Sequence, residues 1–150
     1  MIKYETRLPT PEEFISLRKE TDWGVPTIEQ ARQALSHSPY GMVVLDEDHL
    51  VGMMRCVGDG CIILYIQDVI VAENYRGQGI GQTLISTLIT ELETHCDPDC
   101  RIGLFAATGQ EGFYKRLGFR ARGCSTYGAG MHAKFDALRH HRLAISSAST

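Results

Sequence analysis

A buried strand that leads through a glycine-rich turn into an amphipathic helix constrains the fold of this chain more than any other feature. Residues 61–71 are mainly apolar and rich in β-branched side chains, which is typical of a central strand. Between Ile80 and Leu92, apolar residues recur at helical spacing and form one wide stripe. A further strand is predicted at Ile102–Ala106, and strand–helix–strand order favours a parallel pair with a right-handed crossover. This order predicts an α/β fold with a mixed sheet.

The remaining segments extend that sheet and add helices. Thr10 and Thr27 are suited to be helix N-caps, and Gln30 is placed to complete a capping box with Thr27. Short apolar runs with tight turns between them predict an antiparallel meander before the central strand. Strands are predicted at Lys3–Leu8, Gly41–Leu45, Leu50–Val57, Arg120–Cys124 and Met131–Phe135, and a short last helix at Glu111–Leu117. We expect residues 1–150 to form a single domain, with residues 136–150 as a loose tail.

The length and charge of the chain limit the classes of protein to which it can belong. A chain of 150 residues fits one domain with a core of useful size. The net charge is −3 with acids and bases intermixed, which argues against a nucleic-acid partner. Residues 1–7 have no apolar segment of the kind found in signal peptides, and no run reaches the roughly 18 apolar residues of a membrane span. We therefore expect a cytoplasmic protein with no membrane partner.

The cysteines indicate neither a disulfide framework nor a metal centre. There are five of them, an odd number, and their spacing matches no disulfide pattern. Cys96 and Cys100 lie four residues apart, but no second pair at zinc-ligand spacing follows. We expect free thiols and no metal.

The glycine-rich turn has the chemistry of an anion site. The residues from Arg76 to Gly81 read Arg-Gly-Gln-Gly-Ile-Gly and open the amphipathic helix. The first turn of a helix offers free N–H groups and the positive end of the dipole, and glycine lets an anion approach closely. Neither the spacing of a Rossmann fingerprint nor the Gly-Lys-Ser/Thr of a P-loop is present. The turn is therefore expected to bind a pyrophosphate by a motif other than these two.

Two motifs in this order resemble those of the GNAT acetyltransferase superfamily. Arg76, Gly79 and Gly81 match its Arg/Gln-x-x-Gly-x-Gly/Ala signature, and residues 112–119 are similar to its FYxxLGF segment. Residues 106–114 and 127–131 also resemble a small bacterial branch of the superfamily. The resemblance covers roughly residues 40 to 135.

The resemblance implies a fold and a co-substrate. The fold would be a twisted mixed sheet of six to seven strands flanked by about four helices. The strands Ile66–Val71 and Ile102–Ala106 would splay apart and hold acetyl-CoA between them. The superfamily's cofactor-contacting Asn is replaced by Ala107 here, so Thr108 or Gln110 would make that contact. The cofactor-binding residues implied are Val69, Ile70, Val71, Arg76, Gly77, Gln78, Gly79, Ile80, Gly81 and Thr108.

The resemblance also implies catalytic roles. Tyr114 would be the general acid that protonates the leaving thiolate, and its alternative role is packing beside Phe113 and Phe119. The backbone N–H of Val69 or of a neighbouring residue would stabilise the oxyanion. Asp68 lies on an apolar strand, where alternation places it on the face of Ile66 and Ile70. It would be a direct base or an anchor for the amine, or else a structural acid.

The acceptor site is the least defined by sequence. Trp23 joins the two early helices, and we expect it either to wall the acceptor site or to pack a hinge. Tyr65 is a second candidate substrate contact, with Arg55 and Tyr127 as weaker ones. Glu73 is either a base that acts through water or, as its place in a loop favours, a solvated surface acid.

The resulting expectation is an N-acetyltransferase that moves an acetyl group from acetyl-CoA to a small primary amine by direct attack. A protein N-terminus or lysine is an alternative acceptor. The rival function is a non-catalytic acyl-CoA sensor. A homodimer is also expected from the resemblance.

Overall fold

The computed structural model describes residues 1–123, 128–131, 133 and 138–139. The chain divides into two compact units, Met1–Ala107 and Thr108–Thr150. Whether these units form the single domain expected from the sequence stays a prediction. The first unit holds the strands β1 (Ile2–Glu5), β2 (Tyr40–Asp46), β3 (His49–Gly58), β4 (Ile63–Val71) and β5 (Arg101–Leu104), the helices α1 (Pro11–Arg18), α2 (Ile28–Ser36) and α3 (Ile80–Leu92), and a 3₁₀ turn at Glu73–Tyr75. The second unit holds α4 (Glu111–Arg116).

The strands form one sheet in the order β1-β2-β3-β4-β5. The first three pairings are antiparallel, and β4 pairs with β5 in parallel. The mixed α/β fold predicted from the sequence is therefore confirmed. Five strands are found in the described residues, against the six to seven expected. The two missing candidates, Arg120–Cys124 and Met131–Phe135, lie partly or mainly outside the described residues, and no strand forms over residues 120–123.

Both early helices begin where their capping sequences predict. The Thr10 side chain accepts a hydrogen bond from the N–H of Glu13, whose own side chain accepts from the N–H of Thr10. Thr27 and Gln30 form the same reciprocal pair at the start of α2. Each box satisfies two N–H groups that a helix start leaves without partners. The first turns of α1 and α2 are therefore fixed by residues close together in the chain.

Helix α3 packs its apolar stripe against the sheet. Leu84, Ile85 and Leu88 are buried, with Ile80 and Leu92 at the two ends of the same stripe. Burying a side chain of this size stabilises the fold by about 1.5–3 kcal/mol. The helix thereby holds its N-terminus fixed beside the end of β4.

The helices cover both faces of the sheet. Tyr40 pairs with Cys56, and its ring lies edge-on to His95 just after α3, 6.3 Å between centroids. The next residue of β3, Arg55, points to the opposite face, since side chains alternate along a strand. There its guanidinium lies over the ring of Phe14 in α1, at 5.6 Å. Helix α1 and helix α3 are thus on opposite faces.

A β-bulge in β4 corrects the face predicted for Asp68. Met53 pairs with Ile70 and Cys56 pairs with Ile66, so three steps along β3 match four along β4. The extra residue falls around Asp68, whose φ of +56° is in the left-handed region. Simple alternation is therefore wrong here, because Ile66 and Ile70 lie on opposite faces. Asp68 points to the face of Arg55.

Strand β4 parts from β5 halfway along its length. Their last pair is Ile66 with Leu104, and β4 continues to Val71 with β3 as its only strand partner among the described residues. A strand edge of this kind presents backbone N–H and C=O groups that another extended chain can pair with.

In the described ranges, no helix is long and apolar enough to cross a lipid bilayer.

Candidate functional site

The turn before α3 is open to an approaching ligand. Gly77 and Gly79 have φ values of +75° and +80°, a conformation that only glycine adopts easily. Gly79 is the N-cap of α3, and no side chain caps it. A Cβ atom added at either glycine would meet no atom within 4 Å outside the adjoining residues. The backbone here is therefore reachable at close range.

This turn also has free donors. Within the described residues, the N–H groups from Gly77 to Gln82 donate to no acceptor, and the first intrahelical bond is from Thr83 N–H to Gly79 O at 3.1 Å. Unpaired N–H groups and the positive end of the α3 dipole together favour a bound pyrophosphate. The residues predicted for this role are thus brought into one cradle.

Arg76 links the turn to the end of α1. Its Nε donates to Val71 O at 2.9 Å, and its Nη2 donates to Glu20 O at 3.3 Å. The Glu20 carboxylate in turn accepts from the N–H of Glu73 at 2.7 Å. Glu20 is a site residue that the sequence analysis missed, because no local pattern marks a contact made across more than fifty residues.

A cavity of about 470 Å³ opens on the α1 face of the sheet. Small-molecule pockets fall between about 300 and 1,000 Å³. Its walls come from α1, the loop after it, α2, and the central strands. It is lined by Phe14, Arg18, Trp23, Gly24, Val25, Pro26, Gln30, Ala34, Arg55, Gln67 and Asp68. Gln67 and Asp68 belong to the part of β4 beyond its last pair with β5, so the cavity adjoins the gap between those strands.

Asp68 is held between two guanidinium groups. Arg18 Nη1 lies 2.6 Å from its Oδ1, and Arg55 Nε lies 2.7 Å from its Oδ2. Only 1% of the Asp68 side chain is exposed. Both oxygens already accept a charge-assisted hydrogen bond, so neither points freely at an incoming amine. This arrangement favours the structural acid over the direct base considered from the sequence.

The two arginines are themselves anchored. Arg18 donates to the carbonyl oxygens of Trp23 and Gly24, which fixes the loop after α1. Arg55 donates through Nη1 to Ser38 Oγ at 3.0 Å. Arg18 is a second residue that the sequence analysis missed. It is the last residue of α1, and a basic residue there is also explained by its favourable interaction with the helix dipole.

The two predicted substrate residues have different surroundings. Trp23 lines the cavity, is 44% exposed, and lies with its ring 5.7 Å from the Arg18 guanidinium. Tyr65 is absent from the cavity lining, and its ring packs edge-on against Phe105 at 5.3 Å. Burial raises the pKa of the Tyr65 hydroxyl, and a hydrogen bond with the backbone of Phe105 opposes that shift. A substrate contact by Tyr65 stays a prediction.

Tyr114 belongs to the second unit, on α4. It is half-buried, and its ring lies edge-on to Phe113 at 5.0 Å and to Phe119 at 6.0 Å. The helix ends at Arg116, one residue before the predicted Leu117, and Gly118 just beyond it has a φ of +99°. Thr108 is exposed in the turn before α4, and Tyr127 lies outside the described residues. The aromatic packing weighed against catalysis is present, and it leaves the catalytic role open.

No group of three or more His, Cys, Asp or Glu side chains in the described ranges is arranged to hold a metal ion. The thiols differ in their environment. Cys56 is buried, and this burial raises its pKa to about 12, whereas Cys61 is exposed. The donor set of the site is thus backbone N–H groups and guanidinium groups, which is the chemistry of a phosphate or carboxylate ligand.

Comparison with known proteins agrees with this geometry. Residues 12–134 match the acetyltransferase (GNAT) domain family. The chain is 31% identical to an uncharacterized ycf52-like N-acetyltransferase of Prochlorococcus marinus over 71% of this chain and 61% of that protein. It is 33% identical to the peptidyl-lysine N-acetyltransferase YjaB of Salmonella typhimurium over 61% of this chain and 57% of that one. These matches therefore span less than two thirds of either relative.

A solved structure gives the same result. The probable acetyltransferase of methicillin-resistant Staphylococcus aureus superposes with a TM-score of 0.79 at 26% identity, covering 90% of this chain and all of that one. The family match covers most of the sequence, including the glycine-rich turn, the parted strands and the cavity. This chain belongs to the GNAT acetyltransferase family.

Proposed function

We propose that this protein transfers an acetyl group from acetyl-CoA to the primary amine of a small molecule by direct attack. The observation that carries the proposal is the gap beside β4, which has the open phosphate turn at one end and the cavity alongside. A pyrophosphate bound at Gly77–Gln82 would direct the rest of an acyl-CoA along the free edge of β4. An amine in the cavity would then approach from the α1 face.

Acetyl-CoA supplies an activated thioester. In the transfer, the amine nitrogen bonds to the thioester carbon, the carbon–sulfur bond breaks, the amine loses a proton and the thiolate gains one. The protein's tasks are to bind both partners, stabilise the oxyanion and move these two protons. The N–H of Val69, beside the bulge at Asp68, is the proposed oxyanion donor, because a bulge frees a backbone group from the ladder.

Asp68 enters the proposal as a positioning residue. It fixes Arg18 and Arg55 in the lining of the cavity, and through Arg18 it also fixes the loop that contains Trp23. The amine proton then leaves by another route. Glu73, exposed just after β4, is the proposed base through water.

Tyr114 is proposed as the general acid. We expect Tyr114→Phe to keep the fold and the affinity for acetyl-CoA while lowering kcat by about 10²-fold, the usual scale for a lost acid. The measurement is thiol release from acetyl-CoA over a panel of primary amines. Tyr4→Phe, in β1, is a matched control that should keep full activity. An unchanged kcat in Tyr114→Phe would remove the tyrosine from the mechanism.

Protein lysine is the second candidate acceptor, because the relative YjaB is named a peptidyl-lysine N-acetyltransferase. A lysine peptide in the same panel tests it directly. Acetyl-CoA binding without turnover on any amine would favour the sensor function instead. A homodimer and a cytoplasmic location remain predictions.

A further inference from the structure

The acceptor cavity has an excess of positive charge. Its lining contains two arginines, Arg18 and Arg55, and one acid, Asp68. The acid is already shared between the two guanidinium groups, with both oxygens occupied. One positive charge in this lining is therefore uncompensated. Such a cavity repels a polycation and attracts an anionic group.

Arg55 has donors left for a ligand. Its Nε binds Asp68 and its Nη1 binds Ser38, while Nη2 has no acceptor among the described residues. In the same residues, no buried side-chain nitrogen or oxygen is without a hydrogen-bond partner. Nη2 is therefore in contact with solvent, and the surface that Arg55 presents is the wall of the cavity. The two N–H hydrogens of Nη2 are charge-assisted donors that suit a carboxylate.

We propose that the acceptor is a small amine bearing a carboxylate, such as an amino acid, and that Arg55 binds this carboxylate. The inference rests on the proposed acetyl transfer and names its substrate class. It differs from a general amine site, because the free donors point to a second, anionic group on the same molecule.

The position of Arg55 determines how such a substrate would be oriented in the cavity. Arg55 pairs with Gln67, so its backbone lies about 4.8 Å from that of β4, whose other edge is free beyond Ile66. A small amino acid is long enough to bridge that distance, with its carboxylate on Arg55 and its amine towards the gap. The apolar walls, Phe14, Trp23 and Val25, would contact an uncharged side chain.

The test uses amines that differ in one group. Phenylalanine, phenylalaninamide and phenethylamine have the same ring and amine, but only phenylalanine has a carboxylate. We expect kcat/KM for phenylalanine to exceed that for the other two by at least about tenfold, the scale of one charge-assisted hydrogen bond. O-Phosphoethanolamine tests whether a phosphate serves equally well. Equal kcat/KM for phenethylamine and phenylalanine would overturn the inference and leave acetyl transfer intact.

Arg55→Gln locates the effect in the protein. It should raise KM for phenylalanine about tenfold or more and change KM for phenethylamine less than about threefold. Arg55→Lys, which keeps the charge and loses the planar guanidinium group, should fall between. Acetyl-CoA affinity reports whether the variants are folded. An equal effect on both substrates would contradict the assignment. If the variants do not fold, the substrate series in the unaltered protein decides alone.

A binding measurement separates this inference from the proposed function. If no amine is acetylated, acetyl transfer fails, and calorimetry with N-acetylphenylalanine, which has the carboxylate but no amine, still tests the cavity. If N-acetylphenylalanine binds and its methyl ester does not, the carboxylate site is supported. No difference between acid and ester would overturn it.

Discussion

Asp68→Asn is the substitution whose effect follows most directly from the structure. Asparagine has nearly the same shape and also tolerates a positive φ, so the bulge conformation is retained. What changes is the charge between Arg18 and Arg55. The new amide nitrogen is a donor, and it would face one of two guanidinium groups that can only donate.

The size of the effect follows from burial. Asp68 is 1% exposed, and the side chains of Arg18 and Arg55 are 15% and 14% exposed. Removing one member of a buried ion pair costs about 3–5 kcal/mol, because the remaining charge is left without compensation. The arginines border an open cavity, where water solvates part of their surface, so we expect about 3 kcal/mol. For a chain of this length, that corresponds to a fall in Tm of about 6–12 °C.

The assay is urea unfolding followed by circular dichroism, together with thermal melting. Asp48→Asn is the matched control, because Asp48 is exposed in the β2–β3 turn and makes no hydrogen bond or ion pair with the described residues. Arg18→Met combined with Asp68→Asn should lose less than the sum of the two single changes. A loss below about 1 kcal/mol in Asp68→Asn would refute the idea that this carboxylate holds the cavity together.

Two further perturbations test other parts of the structure. Gly79→Ala should abolish measurable acetyl-CoA binding in calorimetry, whereas Gly118→Ala, with a similar positive φ, should lose about 1–2 kcal/mol of stability but bind normally. Equal binding in both variants would contradict the phosphate site. The buried Cys56 thiol, whose pKa is raised from 9.0 to about 12, stabilises the folded state fully below pH 9.0 and loses that contribution as the pH rises to about 12. Unfolding free energy should therefore fall less steeply between about pH 9 and 11 in Cys56→Ala than in the unaltered protein, and parallel curves would disprove this.

The parts of the fold that depend on local sequence were predicted well. The caps at Thr10 and Thr27 and the buried stripe of α3 follow from residues close together in the chain, and the structure has them as expected. The first strand is Ile2–Glu5 instead of the predicted Lys3–Leu8, and its last pair is Glu5 with Val43, although β2 itself continues to Tyr40. The ends of a strand depend on its pairing with residues far away in sequence, so the local sequence pattern does not predict them.

The site was predicted in part. The turn from Arg76 to Gly81 follows from its glycine spacing, and Gly77 and Gly79 have the left-handed backbone that this spacing requires. The environment of Asp68 did not follow, because the bulge and the two ion pairs join residues far apart in sequence. Arg18 and Glu20 were missed for the same reason. A charged residue near the end of a helix, such as Arg18, is explained by the helix dipole alone. Only the folded sheet shows that its partner is Asp68.

The most direct test of acetyl transfer follows a labelled acetyl group from acetyl-CoA to the amine. Purified protein is incubated with labelled acetyl-CoA and phenylalanine, phenethylamine or a lysine peptide, and the products are separated and identified by mass spectrometry. We predict label in an amide on one of these amines, in proportion to the thiol released, with both signals lost in Gly79→Ala. Binding of acetyl-CoA with no labelled amide on any amine would contradict the assignment as an acetyltransferase.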